Sequence, residues 1–365
     1  MKCMKRMLAG MAAALLAAIL FFTMPVEALS AQKAILLDAQ TGRVLFEKNS
    51  HERSLIASTT KIMTALIVCE QCNVLDRMRI PKEAVGIEGS SMYLQEGEIL
   101  TIQDLLYGLM LQSGNDAAVA LAIYCGGTVE GFAELMNDKA RQLGMVNTHF
   151  VNPNGLDSPG HYSTASDMAH LAAYAMNNPI FAQTVSTKTV SIGGRSLRNH
   201  NKLLWQMESV DGVKTGYTKA AGRILVSSAQ RQGRRLVAMT INCPDDWRDH
   251  KLLLSEGFSK YKDMTLVSKG ERLGVIEIES GRETAVELIA ADDFCYALAE
   301  NEIVSVKLPE PGFVYAPVVQ GQKAGVAHVC IDDVPVGKVQ MVYGQTVEMK
   351  AQEEKPFWHK LFGGN

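Results

Sequence analysis

Ser58 and Lys61 lie three residues apart in the stretch Ala57-Ser58-Thr59-Thr60-Lys61-Ile62-Met63-Thr64-Ala65-Leu66. A serine hydroxyl is a weak nucleophile until a base takes its proton. A lysine becomes such a base when burial or a neighbouring cation makes its ammonium form unfavourable. At spacing i, i+3 on a helix the two side chains share a face. Backbone N–H groups at a helix start would also favour an oxyanion forming beside the serine. The plainer reading is a capping serine beside a lysine that snorkels to water. Spacing alone decides little, because Ser30-Ala31-Gln32-Lys33 repeats it. Two more clusters follow: Ser113-Gly114-Asn115, then Lys214-Thr215-Gly216 with Tyr217 beyond it. Alone, the first reads as a helix–helix turn and the second as a solvated strand end. In this order the three together are hard to credit to chance. Lys214 would supply positive charge, Thr215 a hydroxyl, and Gly216 room for a substrate backbone.

These residues need elements to hold them. Ala34–Ala39 and Arg43–Glu47 read as two strands joined by Gln40-Thr41-Gly42. The stretch from Ser58 reads as a helix, apolar nearly all round from Ile62 to Val68, as a helix buried in a large domain is. Lys61 is expected half-buried at the edge of that run. Thr101 and Asp104 form a capping-box pattern before an apolar helix that stops at Ser113. Asp116 opens another helix, closed by Gly126-Gly127, and Thr164 to Asp167 caps the next. Val213–Tyr217, Arg223–Ala229 and Arg234–Asn242 read as sheet strands, Lys214 to Gly216 lying on an edge strand, with Gln232-Gly233 turning the last pair. Strands at both ends of a helical block imply an α+β fold, with helices packed on an antiparallel sheet. Near Phe258 the pattern changes to short alternating strands such as Leu273–Ile278 and Ala285–Ile289. The chain therefore divides into 1–30, a first domain 31–258 that holds the three clusters, a boundary at 258–265, a small all-β domain 265–347 and a tail 352–365.

Composition narrows the function classes. Of the 365 residues 47% are hydrophobic, ample for a core, and a net charge of −3 leaves no footprint for nucleic acid. Lys2, Lys5 and Arg6 precede an uncharged run from Leu8 to Met24, then Pro25 and small residues. This is the layout of a signal peptide cleaved near Ala28 or Ser30, with an uncleaved anchor as the alternative. Either places the rest outside the cytoplasm. Six cysteines remain beyond the leader: Cys69, Cys72, Cys125, Cys243, Cys295 and Cys330. Cys69-Glu70-Gln71-Cys72 lacks a second CxxC or paired His, so Cys69 and Cys72 read as core cysteines. Disulfides are allowed there, but the sequence cannot pair them. No metal or cofactor motif is present. In the tail, Phe357, Trp358, Leu361 and Phe362 share one helical face after Pro356. They read as a foot at a membrane surface, or as a stub.

With its flanks, this set resembles the low-molecular-mass penicillin-binding proteins of the serine-type D-alanyl-D-alanine carboxypeptidase family. The flanks are Ile56 to Thr64, Gln112 to Ala117, Val210 to Thr218, Asn154 to Asp157, and Gly160 to Ala169. The resemblance covers about residues 34 to 350, since that family also has a β-rich second domain and often an amphipathic foot. It implies that Ser58 attacks the D-Ala-D-Ala peptide bond of a peptidoglycan stem peptide and forms an acyl-enzyme. Lys61 takes its proton. Ser113 passes that proton to the leaving D-alanine. Asn115 holds the substrate amide, and Lys214 and Thr215 meet the terminal carboxylate. The N–H groups of Ser58 and Tyr217 form the oxyanion hole, though Tyr217 stands where relatives often have His. β-Lactam antibiotics would acylate Ser58 covalently.

Rival readings are a β-lactamase, a transpeptidase and a non-catalytic wall-binding protein. A separate deacylating glutamate is missing, since no glutamate lies between Glu134 and Glu208. A wall-binder has no need of Lys61. The single catalytic domain argues against a transpeptidase.

Overall fold

The structure, a computed structural model, describes residues 29–310 and 312–351. The chain divides into two compact units between Ser255 and Glu256. In the first unit, strands β1 (Lys33–Asp38) and β2 (Val44–Lys48) form a hairpin. A 3-10 turn at Ala57–Thr60 leads into helix α1 (Lys61–Gln71). The short pair β3 (Arg77–Arg79) and β4 (Ile99–Thr101) precedes α2 (Ile102–Leu111), α3 (Asn115–Gly126) and α4 (Val129–Gln142). Then come α5 (Ala165–Ala175), α6 (Pro179–Ser186), the hairpin β5 (Thr189–Ile192) with β6 (Arg195–Arg198), and the single turn α7 (Leu203–Gln206). Strands β7 (Val210–Thr218), β8 (Gly222–Arg231) and β9 (Arg234–Ile241) finish the sheet, and α8 (Asp246–Lys260) follows.

The sheet has the order β2-β1-β9-β8-β7, with antiparallel neighbours. The N-terminal hairpin thus joins the C-terminal strands, and the helical block is looped between them. Ile35, Leu37, Val226, Val237 and Met239 face that block, in one core with Ile62, Leu66, Leu105, Leu109, Phe132 and Phe181. Ser227 and Thr240 carry the buried His250 of α8, at 2.5 Å and 2.9 Å from its two ring nitrogens. The capping box forms as its sequence pattern requires: Asp104 N donates to Thr101 Oγ1 and Thr101 N donates to Asp104 Oδ2, each 3.1 Å. Thr164 caps α5 by accepting from Asp167 N at 3.0 Å.

Two expectations about the opening stretch are corrected. Ser58 is not in the α-helix but in the 3-10 turn before it, and Lys61 is the first α-helical residue. Lys61 is fully buried rather than half-buried. Its amine finds acceptors inside the protein, so it has no need to reach water.

The second unit contains strands β10 (Tyr261–Val267), β11 (Arg272–Glu279), β12 (Ala285–Ala290), β13 (Phe294–Ala299), β14 (Val304–Lys307), β15 (Phe313–Tyr315), β16 (Lys323–Ile331) and β17 (Val334–Tyr343). Six form one sheet in the order β14-β16-β17-β12-β11-β15, and β10 pairs with β13. Val286, Leu288, Ala327 and Met341 centre its core. The expected leader and tail lie outside the described residues, apart from the leader's last residues, Leu29 and Ser30. No single helix among the described residues is long and apolar enough to cross a membrane.

Candidate active site

Four segments meet around Ser58. The first is its own turn, where Ala57 takes a left-handed backbone conformation (φ 44°) that a non-glycine residue adopts only at a cost. The second is the break between α2 and α3, where Ser113 is also left-handed (φ 61°) and Gly114 precedes Asn115, the first residue of α3. The third is the loop at 152–157, and the fourth is the edge strand β7. A Cβ on Gly216 would sit 3.3 Å from both the Ser58 and Thr59 nitrogens. The missing side chain is what lets β7 run this close to the turn's N–H groups.

Lys61 Nζ stands 2.9 Å from Ser58 Oγ, 2.7 Å from Asn115 Oδ1 and 2.5 Å from the carbonyl oxygen of Asn154. Burial is the main reason its pKa falls well below the usual lysine value; the charge of Lys214 lowers it further, and Asp116 opposes both. A neutral amine has two N–H groups and one lone pair. In that form the Asn115 and Asn154 oxygens would accept the two N–H groups and leave the lone pair for the Ser58 hydroxyl. Asn115 cannot turn its amide around, because its Nδ2 donates to the Glu88 carbonyl at 2.5 Å.

The supports are local and specific. Asp116 accepts from the backbone N–H groups of Met92 and Leu94 and from the Ser91 hydroxyl at 2.6 Å, which ties this segment to the start of α3. Gly155 has φ +85°, and a Cβ there would lie 1.9 Å from the Ala57 carbonyl oxygen. Only glycine lets the loop come near enough for Asn154 to reach Lys61. Thr64 Oγ1 donates to the Pro153 carbonyl at 2.7 Å. Behind the turn, His161 Nδ1 accepts from Val151 N at 3.1 Å, so its Nε2 carries the proton and donates to Thr60 Oγ1 at 2.8 Å. Burial first, then the charge of His149, lowers His161 to about 4, so the ring is neutral.

Lys214 is buried, its Nζ donates to the Thr215 carbonyl at 3.0 Å, and burial lowers its pKa to about 7. Ser58, Ser113, Thr215, Gly216 and Tyr217 line one open cleft of about 310 Å³. The structure therefore brings together all eight residues singled out in sequence: Ser58, Lys61, Ser113 and Asn115 on one side, Lys214 to Tyr217 on the other. The exposed Tyr217 ring is at the mouth. Sequence reasoning missed the Asn154 carbonyl, Asp116, and the far wall of the cleft. There Arg223 pairs with Asp246 at 2.6 Å and lies over the Trp247 ring. A carbonyl leaves no side-chain signature, and the wall joins residues from two elements. No cluster of metal ligands occurs among the described residues.

Such a site can deprotonate a serine, stabilise an oxyanion beside it and hold an anionic substrate end. The comparisons agree. The D-alanyl-D-alanine carboxypeptidase family matches residues 21–245, and the C-terminal domain of penicillin-binding protein 5 matches residues 261–349. The D-alanyl-D-alanine carboxypeptidase DacF of Bacillus subtilis is 33% identical over 312 residues, 81% of this chain and 80% of its own. Penicillin-binding protein 5 from Haemophilus influenzae superposes with a TM-score of 0.76 at 29% identity, over 89% of this chain and 100% of its own. A single-residue mutant of the Streptomyces K15 DD-transpeptidase gives 0.61 at 33% identity over 64% of this chain and 99% of its own. The chain belongs to the D-alanyl-D-alanine carboxypeptidase family and is a serine-type hydrolase of the low-molecular-mass penicillin-binding protein class.

Proposed function

We propose that residues 31–258 form the catalytic domain and release the terminal D-alanine from peptidoglycan stem pentapeptides, with Ser58 as nucleophile. The observation that carries this reading is the buried Lys61 amine 2.9 Å from the Ser58 hydroxyl. Neutral Lys61 accepts the Ser58 proton as Oγ attacks the penultimate D-alanine carbonyl. The N–H groups of Ser58 and Tyr217 receive the developing oxyanion, a contribution worth about 10²–10³ in rate per donor. Ser113, which lines the same cleft as Ser58, delivers the proton to the departing D-alanine nitrogen. Lys214 and Thr215 hold the terminal carboxylate, and that charge draws Lys214 back to its ammonium form. Asn115 keeps Lys61 in place and offers its amide to the peptide, while Gly216 lets the peptide backbone lie along β7. Water then attacks the ester, and Ser58 is restored. A β-lactam enters the same steps and stays on Ser58 because its ester hydrolyses slowly.

The protein acts outside the cytoplasm in this reading, after export by residues 1–30. Residues 265–347 form a separate β-domain, and Phe357, Trp358, Leu361 and Phe362 touch the membrane surface. Removing residues 352–365 should move the protein from the membrane to the soluble fraction with activity unchanged; unaltered fractionation sinks the foot.

The experiment for the site is intact mass against time after mixing with benzylpenicillin, beside Ser58→Ala. A lasting adduct on the native protein alone supports the reading. Rapid loss of the drug without an adduct would make the protein a β-lactamase.

A further inference from the structure

Cys72 and Cys125 take no part in the chemistry above; both are partly buried and pack against the main core. Cys72 caps the C-terminal end of α1, and Cys125 lies in the last turn of α3. Their sulfurs are 2.6 Å apart. Closing that gap to a covalent bond of about 2.05 Å needs a shift of roughly half an ångström. Of the other described cysteines, Cys69, Cys243 and Cys330 are buried, and Cys295 lies in the second unit. The two helices already meet at their other ends, where Lys61, the first residue of α1, bonds Asn115, the first of α3.

We propose that Cys72 and Cys125 form a disulfide that staples α1 to α3 at the ends opposite the catalytic residues. Two S–H bonds break and one S–S bond forms. The two electrons and two protons pass to a disulfide oxidant, either a small-molecule disulfide or a thiol–disulfide oxidoreductase. The Cys125 thiolate attacks one oxidant sulfur and releases one thiol; Cys72 then attacks the Cys125 sulfur of the mixed disulfide and releases the second. The hydrogen bond from Cys72 holds the Cys125 thiol below its ordinary pKa, and the same contact raises Cys72, so Cys125 ionises first. The bond closes a loop between positions 53 apart, which contains Ser113 and the segment tied to Asp116. Such closure acts chiefly by restricting the unfolded chain. It should stabilise the site without changing its chemistry.

The test uses the full chain, incubated with oxidised glutathione, then unfolded in an alkylating agent and mapped by mass spectrometry. The expected result is a cross-linked peptide pair containing Cys72 and Cys125, with neither residue alkylated. Reduction should lower Tm by roughly 5–10 °C. The initial rate at 25 °C should stay within about twofold. The Tm response to reductant should vanish in Cys72→Ser and in Cys125→Ser. Alkylation of both cysteines, a stable glutathione adduct on one of them, or a Cys69–Cys72 pair overturns the assignment. A cross-link whose reduction leaves Tm unchanged overturns the staple. None of these outcomes depends on the assignment of Ser58.

Discussion

Lys61 Nζ and Asn115 Oδ1, 54 residues apart in sequence, lie 2.7 Å apart in a buried contact. The bond holds the amine of one motif on the amide of another, with the Ser58 hydroxyl at its third side. The amine is desolvated there, yet each of its bonding directions is used.

Lys61→Met should remove the base and leave the packing. Acylation by benzylpenicillin should fall by about 10³-fold or more. Tm should fall modestly, because Met leaves the buried Asn115 and Asn154 oxygens without their donor. Stopped-flow acylation and a thermal melt check both; acylation near the native rate would show that Lys61 is not the base.

Lys214 should set the alkaline side of the pH profile. Its pKa in the free protein is about 7, so it is charged below that pH and neutral above it. The charged form holds the substrate carboxylate. Consequently kcat/KM should decline above about pH 7, since this parameter reports free-enzyme groups. In Lys214→Arg the charge persists and that decline should be absent up to about pH 10. The measurement is kcat/KM for a D-Ala-D-Ala peptide across that range, starting from about pH 5.

Gly155→Ala should damage the site without touching a catalytic side chain. The new Cβ would overlap the Ala57 carbonyl, at a position of φ +85°. The loop must retreat and take the Asn154 carbonyl from Lys61. A stability loss of about 2 kcal/mol and a roughly tenfold or greater fall in acylation rate are expected. Denaturant titration and acylation kinetics read the two effects separately.

Two buried imidazoles should make the protein sensitive to mild acid. Burial lowers His250 from 6.5 to about 3, and His161 to about 4. Between these values and about 6.5 the unfolded chain binds the protons and the folded one does not. Stability is therefore complete above about pH 6.5 and is lost as pH falls, by at most about 1.4 kcal/mol per unit per histidine. Denaturant titrations stepped from about pH 7 down to about pH 4 should show this slope, and His250→Gln should make it shallower.

The sequence by itself determined the α+β plan, the helix caps and the order of the three motifs. Each is written in neighbouring residues: the apolar run in Arg234–Ile241, the Thr101–Asp104 box, the Ser58–Lys61 spacing. Edge placement of Lys214 was also legible, since β7 is a terminal strand in the sheet. Only the tertiary structure decided that Lys61 is wholly buried and that Asn154 reaches it from 93 residues away. It alone brought Asp246 to Arg223, and Cys72 to Cys125. The reason is physical. Periodicity and capping act over one or two turns of chain. The desolvation that makes a lysine a base, and the approach of two sulfurs, arise only when distant segments pack together.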